Sequence, residues 1–292
     1  MSYDKIRHRL HQGRPLVMDS DVAAALGARG CSVEEPGCLG AVLFQDVGRV
    51  REHHLAELSC RVDVLSALTS DTTPRALSEA GMEHRSARLT GKALDLACSI
   101  AEQSARPVAV AGVLGSERVS ATVQGRFEEE TVEHARRIAH AGAEIVIVRG
   151  MGSRLDLVFS VAAAAGLDVP TWAVIDPYIE GEIQDIVAAV ADAGAEAILF
   201  EVKSVDEGLE KLAHMAELGS KVVPGALLSA APDALRGFPS PLYSSWVERV
   251  VELTAAGARI VGGGAGTTEA HTRALVTRLG LIHPSLPPER IH

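Results

Sequence analysis

Two charged residues close runs that are otherwise apolar. Arg149 follows Ile145-Val146-Ile147-Val148, and Glu201 follows Ile198-Leu199-Phe200. A charge at the end of a buried strand is partly desolvated, so it must be paired or put to use. Paired with each other, the two make a structural ion pair. Put to use, Arg149 holds a carboxylate or phosphate, while Glu201 takes an amine or works as an acid–base group. Asp19 and Asp176 end two further apolar runs. Aspartate at such a place either caps the loop that follows or binds the amine of an amino acid. The run Gly262-Gly263-Gly264-Ala265-Gly266 precedes Thr267 and Thr268. Free amides of a glycine turn ahead of a helix can cradle an anion. The same turn equally serves tight packing of a strand on its helix. Thr267 or Thr268 would cap that helix, and His271, one turn in, reads as a structural histidine.

Positioning these residues requires a repeated scaffold, and one phrase of the sequence repeats. Ala141-Gly142-Ala143-Glu144, Ala193-Gly194-Ala195-Glu196 and Ala256-Gly257-Ala258-Arg259 each close a helical pattern and open an apolar run. The glycine suits a helix C-terminus, where φ is positive. The apolar runs lack strict alternation, as expected of strands covered on both faces in a parallel sheet. Such runs occur over Pro15–Asp19, Val62–Thr69, Pro107–Leu114, Ala143–Gly150, Pro170–Asp176, Ala195–Val202, Lys221–Leu228 and Ala258–Gly264. Helical patterns over Arg85–Gln103, Glu128–Ala141, Glu180–Ala193, Ser204–Leu218 and Ser244–Ala256 separate many of them. This alternation predicts an α/β fold, a (β/α)8 TIM barrel, as one domain over residues 1–292. Loops are expected at Gly115–Arg126 and Ser229–Tyr243. Active sites of such barrels lie at the C-terminal strand ends. Those ends carry Asp19 with Asp21, Thr69 with Asp71, Ser116 with Glu117, Arg149, Asp176, Glu201, Ser229 and the glycine loop.

Composition narrows the partners. The net charge is −10, and the densest basic stretch is the short Ile6–His11 segment. This argues against nucleic acid or an anionic membrane surface. Only 3% of residues are aromatic against 47% hydrophobic, so the core must be aliphatic. Cys31, Cys38, Cys60 and Cys98 show no Cys-x-x-Cys spacing and read as unreactive thiols. The start of the chain is polar, and no apolar run has the length of a membrane span. A cytoplasmic protein acting on a small molecule is expected, and a homo-oligomer is compatible with all of this.

The stretch Ala256–His271 resembles the closing signature of the homocysteine S-methyltransferase family, an apolar strand followed by Gly-Gly-Cys-Cys-Gly-Thr-Thr-Pro-Glu-His. Leu16-Val17-Met18-Asp19 resembles the family's opening strand, and Val108–Gly115 its third. Ala143–Ser153, Pro170–Asp176 and Ala195–Ser204 fall in register, so the likeness runs along nearly the whole chain. The resemblance implies a barrel enzyme in which three cysteine thiolates hold zinc and zinc keeps the acceptor thiol ionised. Here the paired cysteines fall on Gly264 and Ala265, and the family's Asn-Cys pair falls on Glu201-Val202. The strand-four Glu falls on Arg149, and the strand-two Asn on Leu68.

All three metal ligands are therefore replaced together, which reads as a repurposed site. The expectation is a zinc-independent enzyme of this kind, with no metal and no cofactor. It would transfer a methyl group from a sulfonium-type donor to a small amino-acid or thiol acceptor through proximity. Glu201, Asp176 and Arg149 are the expected catalytic residues. Asp19, Arg149, Glu201, Gly263, Gly264, Ala265 and Thr267 are expected to bind substrate. Two alternatives remain open on the sequence: a lyase or hydrolase acting on a small sulfur or nitrogen metabolite, and a non-catalytic ligand-binding barrel.

Overall fold

In a computed structural model, residues 1–33, 37–78, 80–115, 124–219, 222–230 and 241–280 are described. The strands are β1 (Leu16–Val17), β2 (Val64–Ala67), β3 (Ala109–Gly115), β4 (Ile145–Arg149), β5 (Thr171–Ile175), β6 (Ala197–Val202), β7 (Val223–Leu228) and β8 (Ile260–Gly263). They form one eight-stranded sheet in the order β1-β8-β7-β6-β5-β4-β3-β2. Every pairing is parallel. A parallel bridge between Met18 and Val64 brings the first and last members of that order together. The result is the (β/α)8 barrel that the alternating runs require.

The helices are α1 (Ser2–His11), α2 (Val22–Ala28), α3 (Cys38–Gln45), α4 (Val47–Ser59), α5 (Pro74–Ser78), α6 (Ser86–Ala101), α7 (Gln124–His140), α8 (Arg154–Ala165), α9 (Ile183–Asp192), α10 (Val205–Glu217), α11 (Pro241–Ala255) and α12 (Glu269–Arg278). Gly142, Gly194 and Gly257 lie just past the ends of α7, α9 and α11 with φ of 97°, 104° and 115°. This left-handed backbone is why the repeated Ala-Gly phrase has glycine there. Two loop boundaries differ from the sequence reading. Gly115 belongs to β3, α7 already begins at Gln124, and α11 begins at Pro241. Both helices start inside polar stretches that hydrophobic spacing does not mark. Ser116, Glu117 and the rest of 116–123, along with 231–240 and Lys221, lie outside the described residues.

The chain buries two kinds of surface along each strand. Leu16, Met18, Val64, Ala109, Ala111, Ile145, Ile147, Trp172, Val174, Ala197, Leu199, Leu227 and Ile260 point into the barrel and fill it. Their neighbours in sequence, such as Val17, Leu65, Val110, Val146, Ala173 and Ile198, pack outward on the helices. This period of two makes the barrel a packed core with no pore. Helix α1 closes its N-terminal end. Tyr3 and Ile6 join the interior cluster, and the Tyr3 hydroxyl accepts from Trp172 Nε1 at 3.3 Å. The basic Ile6–His11 stretch is thus half core plug and half solvated face. Helices α2, α3 and α4, between β1 and β2, meet α5 and α6 in a satellite cluster around Leu26, Leu43, Val50, Leu77 and Leu89. Among the described residues, no helix is long and apolar enough to cross a membrane.

Candidate active site

The C-terminal strand ends converge on a cavity of about 260 Å³. Its apolar wall includes Met18, Val113, Ile147, Val174 and Leu227, all drawn from strand ends or the residues beside them. Its polar wall includes Asp19, Ser20, Asp21, Ser66, Ser70 and Arg149. A mainly apolar pocket with a few converging polar groups is the usual form of a small-molecule site.

Arg149 at the end of β4 reaches across the mouth to β6. Its Nη2 donates to Glu201 Oε2 at 2.9 Å. The second carboxylate oxygen, Oε1, accepts the Ala265 amide at 2.9 Å. Glu201 is 7% exposed, and both its oxygens are engaged. Arg149 lines the cavity, and Glu201 stands behind it as its anchor. A bidentate-capable guanidinium held on one edge keeps further N–H groups for a bound anion.

Asp19 and Asp176 take different positions. The Asp19 carboxylate accepts the Ser66 amide at 2.6 Å and the Ser66 hydroxyl at 2.7 Å. Burial pushes its pKa up to about 6, against the pull of these Ser66 bonds and of Arg149. Asp176 accepts the Gly150 amide at 3.0 Å. Burial and the nearby Glu201 also push it up to about 6, against Arg149. Asp19 is on the cavity wall, whereas Asp176 is not among the lining residues and lies near enough to Arg149 for their charges to interact. Asp21, noted at the strand end but not singled out, proves to organise the loop. Its Oδ1 caps α2 through the Ala23 amide, and its Oδ2 accepts the Gly266 amide at 2.9 Å.

The glycine loop offers little of the free amide surface that its sequence suggested. Gly264 donates to the Leu228 carbonyl, Ala265 to Glu201, Gly266 to Asp21 and Thr267 to the Gly264 carbonyl. The buried Thr267 hydroxyl donates to the Gly264 carbonyl at 2.7 Å and accepts from the Asp21 amide at 3.2 Å. Gly263 alone of this run lines the cavity among the described residues. Thr268 caps α12 in a capping box with His271, whose Nδ1 accepts the Thr268 amide at 3.1 Å. Burial lowers the His271 pKa to about 4, so it stays neutral in this structural role.

The thiolate zinc implied by the resemblance does not fit the residues present. A Cβ on Gly264 would lie 2.8 Å from the Ser229 amide nitrogen and 3.0 Å from the Leu227 carbonyl oxygen. Both are backbone atoms, so a cysteine there would have to displace the β7 end. Val202 is fully buried among the outward-facing core residues. The Glu201 carboxylate is already engaged on both oxygens. The four cysteines are free and lie on or beside α2, α3, α4 and α6.

Sequence reasoning passed over Ser66 and Ser20. The Asp19-Ser20-Asp21 cluster was a signal for the second. Nothing local marks Ser66, because its role depends on β2 lying beside β1.

The chain matches the homocysteine S-methyltransferase family over residues 16–279. Among solved structures, it resembles the metallated form of the homocysteine methyltransferase MmuM from Escherichia coli. The TM-score there is 0.75 at 21% identity, covering 94% of this chain and 99% of that one. The apo form of the same protein gives 0.65 at 22% identity, over 90% and 95% of the two chains. Dihydropteroate synthase from Stenotrophomonas maltophilia gives 0.50 at 17% identity, over 94% of each. At these identities the structural likeness is one of fold. No curated protein matches the chain in sequence. The family match spans the barrel from its first strand to the end of its last helix, and on that ground the chain belongs to the homocysteine S-methyltransferase family and is a methyltransferase.

Proposed function

We propose that the cavity at the barrel mouth transfers a methyl group from a sulfonium donor to a small thiol acceptor, without a thiolate-bound zinc. The observation that carries this reading is the wall itself. Asp19 places a carboxylate beside an apolar surface that Arg149 also lines, and Asp21, its oxygens held by the Ala23 and Gly266 amides, adds negative charge to the same wall. A sulfonium carries positive charge and apolar substituents, which such a wall suits. The amine and carboxylate of an amino-acid substrate find counter-charges in the aspartates and Arg149.

In the step, the acceptor sulfur attacks the methyl carbon while the carbon–sulfonium bond breaks. The donor leaves as a neutral thioether, and the thiol proton passes to Asp19. Zinc would lower the acceptor pKa. Without it, a thiol near 8.5 gives its proton to a carboxyl near 6, at a cost of roughly 3 kcal/mol. Holding donor and acceptor together can offset that cost, since orientation alone is worth about 7–11 kcal/mol. Glu201, paired with Arg149 and not among the residues that line the cavity, is assigned to hold that guanidinium. Asp176 is assigned to tune the same guanidinium.

The test supplies homocysteine with either the S-methyl sulfonium of methionine or S-adenosylmethionine and follows methionine by mass spectrometry. Turnover should rise with pH through about 6 as Asp19 ionises, and Asp19→Asn should remove both the activity and that limb. Asp176→Asn should keep the limb. Saturable binding with no product would favour the ligand-binding alternative, and unchanged turnover in Asp19→Asn would reject the assigned base.

A further inference from the structure

We propose that His53, Glu57 and Glu269 form a divalent-cation site between α4 and the start of α12, separate from the mouth cavity and from the family's zinc position. One ligand atom from each residue lies within 4.8 Å of the others. Ligands around a tetrahedral zinc at about 2.0–2.1 Å are separated by roughly 3.3 Å, so small rotamer shifts would close the set. His53 and Glu57 are one turn apart on α4 and therefore share a face.

What makes the cluster a ligand site is its missing partners. His53 and Glu57 are both 0% exposed. Neither His53 nitrogen has a hydrogen-bond partner, nor has Glu269 Oε2, and Glu57 Oε2 has none of good geometry, with the Thr272 hydroxyl of α12 the polar group beside that carboxyl. Buried polar atoms in native proteins are nearly always satisfied, so orphans on three residues whose ligand atoms lie within 4.8 Å of one another call for an occupant. Each of the three groups can turn a lone pair toward a ligand, and two are carboxyl groups, a set that suits a cation able to displace the carboxyl proton.

The remaining oxygens are already anchored. Glu57 Oε1 accepts the Ser20 amide at 3.2 Å and, by a short contact, the Ser20 hydroxyl. Glu269 Oε1 accepts Arg29 Nη2 at 2.7 Å. Such supports fix ligand orientation, as neighbours of metal ligands commonly do. They also show why Arg29 does not fill the site: it is bound to the other edge of Glu269.

Imidazole with carboxylate oxygens suits zinc and related transition ions better than calcium or magnesium. Cys60 is close by, but its Sγ donates to the Glu269 backbone carbonyl at 3.4 Å, so the set is nitrogen and oxygen. The cation would tie α4 to α12, and through Ser20 to the end of β1. This role does not rest on the methyl-transfer reading, although Ser20 belongs to the wall of the mouth cavity as well.

The probe is Zn²⁺ alone. The purified protein is stripped with chelator and dialysed against zinc, and bound metal is measured by elemental mass spectrometry alongside thermal melting. Wild type should retain about one equivalent and melt several degrees higher with zinc. His53→Ala and Glu269→Gln should weaken binding by more than ~10-fold and lose the shift. Glu269 is partly exposed, so its variant keeps the test open if His53→Ala fails to fold. Failure of wild type to retain zinc, or equal zinc in Glu269→Gln, would overturn the site. Loss of methyl transfer by itself would bear on the mouth cavity and not on this cluster.

Discussion

The glycine loop at the barrel mouth and the α4–α12 cluster both lead into α12, yet their hydrogen-bond accounts are opposite. In the loop every amide from Gly264 to Thr267 has a partner, and Glu201 satisfies Ala265 while holding Arg149. In the cluster, four side-chain atoms of His53, Glu57 and Glu269 have none of good geometry. The lesson is that at the loop where the resemblance would put metal ligands, protein groups already take up the hydrogen bonds. The unclaimed ligands lie elsewhere. An unsatisfied buried group costs stability unless something binds it, so this difference is testable.

The largest effect should come from breaking the satisfied side. Arg149→Ala strands Glu201 without its counter-charge and should cost about 3 kcal/mol, read by denaturant unfolding, together with loss of turnover. Replacing both partners, Arg149→Met with Glu201→Leu, should restore much of the stability but none of the activity. Recovery of activity in the double variant would show that the pair is not part of the site.

A buried histidine with one nitrogen satisfied gives an intermediate case. His134 Nε2 donates to the Thr69 carbonyl at 2.9 Å, while Nδ1 has no partner. Burial lowers its pKa to about 4. The folded state refuses a proton that the unfolded chain takes below about 6.5. Stability should therefore fall as pH drops from 6.5 toward 4. Between pH 7 and 5 the loss from this group is roughly 2 kcal/mol. His134→Gln should make that part of the unfolding profile shallower by this share, His271 and the buried His53 and His54 keeping the rest of the slope, and an unchanged profile would assign the whole loss to those groups.

Gly264→Cys tests whether the loop can be returned to a ligand-bearing form. The new Cβ meets β7 backbone, so the variant should lose about 1–3 kcal/mol of stability, and thermal melting will show it. A stable variant would mean that the loop gives way more easily than its packing indicates. The smallest effect should be Thr268→Ala, which removes one half of the α12 capping box for about 1 kcal/mol.

The barrel was legible because its strands are marked locally. Apolar runs and the Ala-Gly phrase record the parallel sheet and the helix ends, as Gly142, Gly194 and Gly257 show. The strand-end charges were legible too, including the alternative that Arg149 and Glu201 pair with each other. Less legible was anything that depends on two distant segments meeting. Glycine composition suggested open amides at the mouth, but the groups that occupy them, Glu201 of β6 and Asp21 at the start of α2, come from distant segments. The α4–α12 cluster was missed for the same reason. His53 and Glu57 at helical spacing are a weak signal alone, and Glu269 joins them only when the barrel closes.

The contrast between the two regions is tested most directly by X-ray absorption at the zinc edge of the zinc-loaded protein. The account predicts a shell of nitrogen and oxygen alone at about 2.0–2.1 Å. A sulfur shell near ~2.3 Å would contradict it, because it would place zinc on thiolates for which this structure leaves no room at the mouth.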